Sequence, residues 1–308
     1  MPSPIDAVLV LNPNSGTLSL PENRELLLTA LHEAGFAAPV ITVANGLNLA
    51  AALRPHLENG CPIVIAAGGD GTINAVASLL VGTSVRLGVI PGGTLNHFSS
   101  DLGIPADLTA AVQILITGIT QSVDVGAVNG RIFLNNSGLG LYPEMVMKRE
   151  EIRKHGFQKA TALLIASALT LLRFPLLRVR LAVNGQALQR FTPFVFVGNN
   201  AYQVDGLQFG VRSRLDQGQL CVWVARRTRR FGLLRAVIKM AFQGLSGVRE
   251  LDMLTTTAAT IAPRRRFVPV SLDGEVVRLR TPLQYEIRPG ALRVIVPAPG
   301  KPAPSETA

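Results

Sequence analysis

Residues 66–74 read Ala-Ala-Gly-Gly-Asp-Gly-Thr-Ile-Asn and follow the apolar run Cys61-Pro62-Ile63-Val64-Ile65. This pattern predicts a buried strand that empties into a glycine loop, with a helix starting at Thr72. Glycines let a backbone approach a ligand closely and adopt positive φ. A fresh helix end offers unpaired N–H groups and a partial positive charge to an anion. Asp70 stands where a phosphate-bound metal would be held. The competing reading is a tight turn in which Asp70 only caps a helix. In either case the loop geometry is expected to come from the glycines and not from the carboxylate.

The same arrangement recurs. Ala7-Val8-Leu9-Val10-Leu11 runs into Asn12-Pro13-Asn14-Ser15-Gly16, and Val85–Ile90 runs into Pro91-Gly92-Gly93-Thr94-Leu95-Asn96. Strands that end in loops of Gly, Asn, Ser and Thr fit an open parallel sheet, where ligands bind at the carboxyl ends. Such loops donate backbone and hydroxyl hydrogen bonds, which suits phosphates. Neither G-x-x-x-x-G-K-[ST] nor G-x-G-x-x-G occurs at these turns, which excludes a P-loop and a Rossmann fingerprint.

Taken in order, Asn12–Gly16, Gly68–Thr72 and Pro91–Asn96 resemble the diacylglycerol kinase catalytic-domain family, which includes bacterial soluble lipid kinases. The likeness continues through Asp124-Val125-Gly126, Phe133-Leu134-Asn135, Gly198-Asn199, the 216–218 turn and Leu272-Asp273-Gly274-Glu275. The resemblance implies an ATP- and Mg²⁺-dependent transfer of a phosphoryl group to a lipid hydroxyl. Asn12, Thr42, Gly68, Gly69, Asp70, Gly71, Thr72 and Thr94 would line the nucleotide, and Asp70 would join the metal network. Asp124 matches an acidic position of the active-site network. Glu275 would be the general base, although an Asp-Gly pair followed by Glu is by itself an ordinary hairpin with a solvated side chain. The resemblance also implies a structural Mg²⁺ in the Ser213–Leu220 loop, through Asp216 with Arg214 and Gln219. Relatives usually carry Asp where this chain has Gln217, and Asp216 one place earlier either takes over or the site is lost. His97 stands where many relatives carry Asp; it is read as a helix-start residue or as a group altering substrate preference.

These motifs must be carried by definite elements. Over 5–127, strand-like and helix-like segments alternate, which predicts a mainly parallel sheet. The strands are 5–11, 40–43, 62–67 and 86–90; the helices are 21–35, 47–58, 72–80 and 108–117. Beyond Val128 strands follow one another without regular helices, save for expected helical insertions over 142–172 and 229–245. Asn184-Gly185 between two such runs is a type I′ hairpin signal. The expected fold is therefore α/β plus β: a nucleotide-binding domain over 1–128, an antiparallel β-sandwich lipid-binding domain over 129–296, and a disordered tail over 297–308.

Composition bounds the partners. The chain has 308 residues, 48% of them hydrophobic, enough for two cores. Cys61 and Cys221 lie far apart in apolar runs and are expected to be buried, reduced thiols. The longest apolar stretch, 160–172, is too short to span a bilayer, which needs roughly 20 residues. No secretory signal is visible, so a cytoplasmic, peripherally membrane-associated protein is expected. The formal charge of +10 and the runs Arg226–Lys239 and Arg264-Arg265-Arg266 point to an anionic membrane surface carrying the lipid substrate. Aromatics make up 5% and form no stacking platform, so no nucleic acid partner is expected. Oligomeric state is not legible. Two other readings stay open: a catalytically silent nucleotide- or membrane-binding protein of the same fold, and an enzyme like NAD kinase.

Reversing Arg226, Arg227, Arg229 and Arg230 to Glu is expected to abolish co-sedimentation with anionic vesicles, given about 1 kcal/mol per basic residue near such a surface. Turnover of a short-chain soluble lipid should survive. Unchanged sedimentation would show that the run is a solvated face.

Overall fold

The computed structural model describes residues 4–43, 47–140, 177–183, 185–202, 204–205, 208–209, 212, 214–225 and 251–299. The expected helices over 142–172 and 229–245, the Arg226–Lys239 run and the tail beyond 299 lie outside them. The chain divides into two compact units, one formed by Met1–Val125 with Pro289–Ala308 and the other by Gly126–Arg288. The C-terminal stretch thus rejoins the first unit, which the linear division at 128 and 296 did not anticipate.

The first unit is built on parallel strands in the spatial order Val40–Thr42, Val8–Leu11, Ile63–Gly68 and Arg86–Pro91. Arg293 and Val294 pair in parallel beside the last of these. Val8–Leu11 and Ile63–Gly68 are buried at every position, as strands covered on both faces must be. Their sequences accordingly show unbroken apolar runs instead of alternation. Helix Asp70–Leu80 packs on the Ile63–Gly68 strand and helix Leu108–Thr117 on Arg86–Pro91. Gly88 permits that second contact, since a Cβ there would lie 2.7 Å from Leu115 Cδ2. Helix Leu108–Thr117 occupies the expected span, and its Asp107 cap accepts Ala110 N–H at 2.7 Å. Helix Asp70–Leu80 begins two residues earlier than the pattern predicted.

The second unit is antiparallel, as expected. One sheet runs Leu251–Thr256, Leu220–Ala225, Phe194–Asn199, Asn136–Gly140, Phe267–Leu272 and Glu275–Arg280. The facing layer pairs Gln186–Thr192, Leu177–Val183, Ala258–Pro263 and the first residues of Leu283–Val296. Along Leu177–Val183 the residues Val179, Leu181 and Val183 are buried while Arg180 and Ala182 are exposed, the two-residue period of a half-buried strand. They join Val195, Val197, Val222, Ile261, Val270 and Tyr285 in one core between the layers. Val183 pairs with Gln186, so the hairpin predicted at 184–185 is present; Gly185 has φ +74° and Asn184 lies outside the described residues. Strands Leu251–Thr256 and Glu275–Arg280 were not anticipated: in the first Met253 is exposed while Asp252 is half-buried, against an apolar-inward pattern, and the second alternates only over its last four residues.

Both cysteines are free and buried. Burial pushes the Cys221 thiol up to about 11 from an ordinary 9.0, against weaker opposing hydrogen bonds. Between those pH values the unfolded chain releases a proton that the folded chain retains, so stability is full below pH 9 and falls as pH rises toward 11. The buried Tyr285 phenol, also raised by burial, extends the loss to higher pH. Cys221→Ala should flatten the fall of the urea midpoint across pH 9–11. An unchanged slope would contradict this account.

Candidate active site

At the carboxyl edge of the parallel sheet the three predicted loops meet. Asn12 Nδ2 donates to Thr72 Oγ1 at 2.9 Å, and Asn12 N–H reaches Ala67 O at 2.9 Å. Gly92 N–H donates to Gly68 O at 2.8 Å and Thr17 N–H to Gly92 O at 3.0 Å. The glycines make this approach possible. A Cβ on Gly93 would lie 2.6 Å from Gly69 Cα, and one on Gly68 would lie 2.7 Å from Thr72 Cβ. Side chains at Gly92 and Gly16 would overlap Leu18 and the Gly92 carbonyl. Positive φ was expected in the Gly68–Gly71 loop, but of the loop glycines only Gly16, at φ +38°, adopts it. Gly16 and Gly93 need glycine because backbone packs on backbone, Gly68 and Gly92 because the Thr72 and Leu18 side chains fill the space.

Asp70 corrects a further expectation. Its carboxylate accepts His97 N–H on Oδ2 at 3.3 Å and Phe98 N–H on Oδ1 at 3.2 Å. It therefore caps the short helix His97–Asp101 rather than its own helix, and the loop geometry depends on the carboxylate as well as the glycines. Asn96 supports the same turn, accepting Gly93 N–H at 2.8 Å with φ +51°. His97 is exposed at the helix start. Helix Asp70–Leu80 has no side-chain cap on its Gly69 end, so its first amides stay available. Asn14, Gly71, Thr94 and Leu95 are exposed around it, and Thr42 is exposed at the end of its strand. The structure thus brings Asn12, Gly68, Gly69, Asp70, Thr72 and the Gly93–Phe98 turn together. Asp124 has another task within this unit: it is 2% exposed and its Oδ1 accepts Gly290 N–H at 2.8 Å.

The motifs of the second unit converge on the Leu134-Asn135-Asn136 turn. Asp273 Oδ2 accepts Leu134 N–H at 2.7 Å, and Oδ1 accepts Asn135 and Asn136 N–H at 2.8 and 2.9 Å. Burial raises its pKa, while those amides and Arg212 oppose the rise. Arg212, 2% exposed, donates to Leu134 O at 2.7 Å, Asn199 O at 3.0 Å and Asn135 Oδ1 at 2.6 Å. Its guanidinium lies 5.6 Å from the Tyr202 ring centre, and Tyr202 Oη donates to Asn135 O at 2.8 Å. Sequence reasoning missed Arg212 and Tyr202, because an isolated Arg in a polar loop carries no periodicity. Asp273 and Gly274, at φ +47° and +92°, form the two-residue turn that leaves Glu275 exposed at the head of its strand.

The 214–219 loop does not fit a structural Mg²⁺. Arg214 Nε and Nη2 bind the two carboxylate oxygens of Asp216 at 2.9 and 3.2 Å. The Arg214 hydrogen bonds hold the Asp216 carboxyl below its usual range, against a smaller effect of burial. A guanidinium thus takes up the one carboxylate a cation would need. Gln217 N–H donates to Asn200 Oδ1 at 3.0 Å, and Gln219 Nε2 donates to Gln217 Oε1 at 3.1 Å. Among the described residues no group of three or more His, Cys, Asp or Glu could hold a metal.

Known proteins share these features. The model of the diacylglycerol kinase catalytic domain matches residues 6–128, and that of the YegS C-terminal NAD kinase beta sandwich-like domain matches residues 147–296. A diacylglycerol kinase of Bacillus subtilis is 34% identical over 142 residues, 45% of this chain and 47% of that protein. A diacylglycerol kinase of Staphylococcus carnosus is 26% identical over 272 residues, 87% of this chain and 88% of that protein. The matched region spans about half the length of the first curated relatives. A crystal structure described as a diacylglycerol kinase from Bacillus anthracis str. Sterne has the same fold, with a TM-score of 0.72 and 24% identity over 96% of this chain and 98% of that one. With its three glycine loops inside the first match, the chain carries a diacylglycerol kinase catalytic domain over residues 6–128, followed by a YegS C-terminal NAD kinase beta sandwich-like domain over residues 147–296.

Proposed function

We propose that the protein is a lipid kinase that transfers the γ-phosphoryl group of ATP to a lipid hydroxyl. The observation that carries this reading is the junction of three loops at the carboxyl edge of the parallel sheet, beside an uncapped helix start. Backbone amides from Gly69 to Thr72, the Thr94 hydroxyl and the second Nδ2–H of Asn12 offer donors to the nucleotide phosphates. Phosphoryl transfer asks little covalent chemistry of a protein; it asks for positioning and for stabilisation of charge. Mg²⁺ carried by the nucleotide would neutralise charge on its phosphates. Asp70 supplies an anion beside that position while holding the 94–98 turn. Glu275 accepts the proton of the lipid hydroxyl, for which an exposed carboxylate within hydrogen-bond reach suffices. Asp273, half-buried, fixes the turn that carries it. Basic residues on the second unit, Arg264–Arg266 among them, favour work at an anionic membrane surface. No helix among the described residues is long and apolar enough to cross a membrane.

Labelled ATP offered with diacylglycerol, sphingoid bases, isoprenols, phospholipids and NAD tests the reaction class. Label in a lipid supports the proposal, label in NAD supports an NAD-kinase-like enzyme, and label in neither supports a silent binding protein.

Asp70→Asn should lower kcat by more than ~100-fold, the size seen when one electrostatic group is removed from an active site. Because the amide cannot accept from both His97 and Phe98, a loss of about 1 kcal/mol accompanies it. The melting temperature should fall accordingly, by roughly 2–4 °C for a unit of this size. A melting shift with turnover preserved would leave Asp70 a structural residue only. Glu275→Gln should lower kcat by about 10²–10⁴-fold with ATP affinity unchanged. Weakened ATP binding with intact kcat would remove Glu275 from the base role.

A further inference from the structure

The opposite, amino edge of the same sheet holds an open cavity of about 400 Å³ whose lining includes Leu57, Pro62, Ser84, Arg86, Thr120 and Arg293. Arg86 opens its strand and Pro91 closes it at the loops, so at about 3.3 Å per residue the cavity lies roughly 17 Å or more from the candidate active site. Arg86 and Arg293 are register partners on adjacent parallel strands, and both reach this cavity. Two like charges side by side on a sheet repel one another. Among the described residues, neither guanidinium makes a hydrogen bond or an ion pair. Neither the Ser84 nor the Thr120 hydroxyl makes a side-chain hydrogen bond there.

Three neighbours could have neutralised the pair. Asp6, whose field reaches Cys61, pairs with neither arginine among the described residues. The helix Leu49–Glu58 ends beside the cavity, and the negative end of its dipole eases the repulsion without bonding either guanidinium. The Cys61 thiol is spent on Ile63 O at 3.2 Å. What remains is a pair of planar cationic forks and two hydroxyls around an open space. That is the donor set of a phosphate, which guanidinium groups bind in paired hydrogen bonds. The volume exceeds what a bare phosphate fills and admits an organic substituent.

We propose that this cavity is a second anion site, for a phosphate monoester held by Arg86 and Arg293, and independent of the kinase reading. Arg86 and Arg293 donate to the phosphate oxygens, Ser84 and Thr120 complete the shell, and the ester group extends toward Leu57 and Pro62. The same phosphate chemistry is offered by a soluble ester and by a phosphatidate head group.

Inorganic phosphate titrated into the full-length protein at constant ionic strength, followed by backbone amide NMR, tests the site. Saturable shifts are expected at Cys61, Ser84, Val85, Arg86, Thr120 and Arg293. They should follow a binding curve of their own, separate from any shifts at Gly69–Thr72 and Gly93–Phe98. Arg86→Gln with Arg293→Gln should weaken the first set at least tenfold and leave the second in place. If the double variant fails to fold, Arg293→Gln alone, at an exposed position, carries the same expectation. Shifts confined to the glycine loops, or reproduced by chloride at equal ionic strength, would overturn the proposal. Failure of the loops alone to respond would count against the kinase reading and not against this site. Vesicles of phosphatidylcholine with and without phosphatidic acid then identify the source. Phosphatidate-dependent sedimentation reduced by Arg293→Gln indicates a lipid head group; sedimentation unaffected by it indicates a soluble ester.

Discussion

The first unit depends on the close approach of three backbones at one edge of a parallel sheet. Gly69 and Gly93 touch where no Cβ would fit, and Gly16 sits against the Gly92 carbonyl. Adjacent parallel strands run about 4.8 Å apart, and these loops turn onto one another at the strand ends, where the touching positions have no room for side chains. Removing them exposes backbone amides to whatever binds there. A steric requirement and a binding surface therefore have one cause. The hydrogen bonds from Asn12 to Thr72 and from Gly92 to Gly68 then lock the loops in one arrangement.

Asp70 and Asp273 each serve as acceptors for two or more distant backbone amides. Asp70 holds residues 97 and 98, and Asp273 holds residues 134, 135 and 136. A carboxylate has lone pairs enough for several donors, and bonds to a charged acceptor are about twice as strong as neutral ones. Each pins a turn that presents other groups: the exposed His97 and Thr94 in the first unit, the exposed Glu275 in the second. Arg212 counters the charge that the half-buried Asp273 brings and also bonds the Leu134 and Asn199 carbonyls. The rigidity required of a site thus comes from carboxylates that need not react.

The Arg214–Asp216 pair closes its loop without a cation. With a neutral amide at Gln217, the remaining carboxylate is neutralised by its neighbour, and amide-to-amide bonds to Asn200 and Gln219 close the turn. An exposed pair of this kind adds little stability. It does satisfy the carboxylate that a cation would otherwise coordinate.

The alternation of elements, the parallel character of the first sheet, the antiparallel second unit, the hairpin at 184–185 and the glycine loops were legible in the sequence. They follow from local propensity and from apolar periodicity over neighbouring residues. Strands such as Glu275–Arg280 were not legible, because their alternation covers only four residues and their pairing with Phe267–Leu272 comes from the tertiary fold. Tertiary structure alone decided which helix Asp70 caps, that Asp124 is buried against Gly290, and that Arg212 lies at the centre of a polar cluster. It also decided that Arg86 and Arg293 stand side by side. Each of these depends on a pairing across 27 to 207 residues of chain, the last following from the register of two parallel strands. Local sequence carries the tendency to form a strand or a turn, but the identity of its partner is set by packing of the whole core.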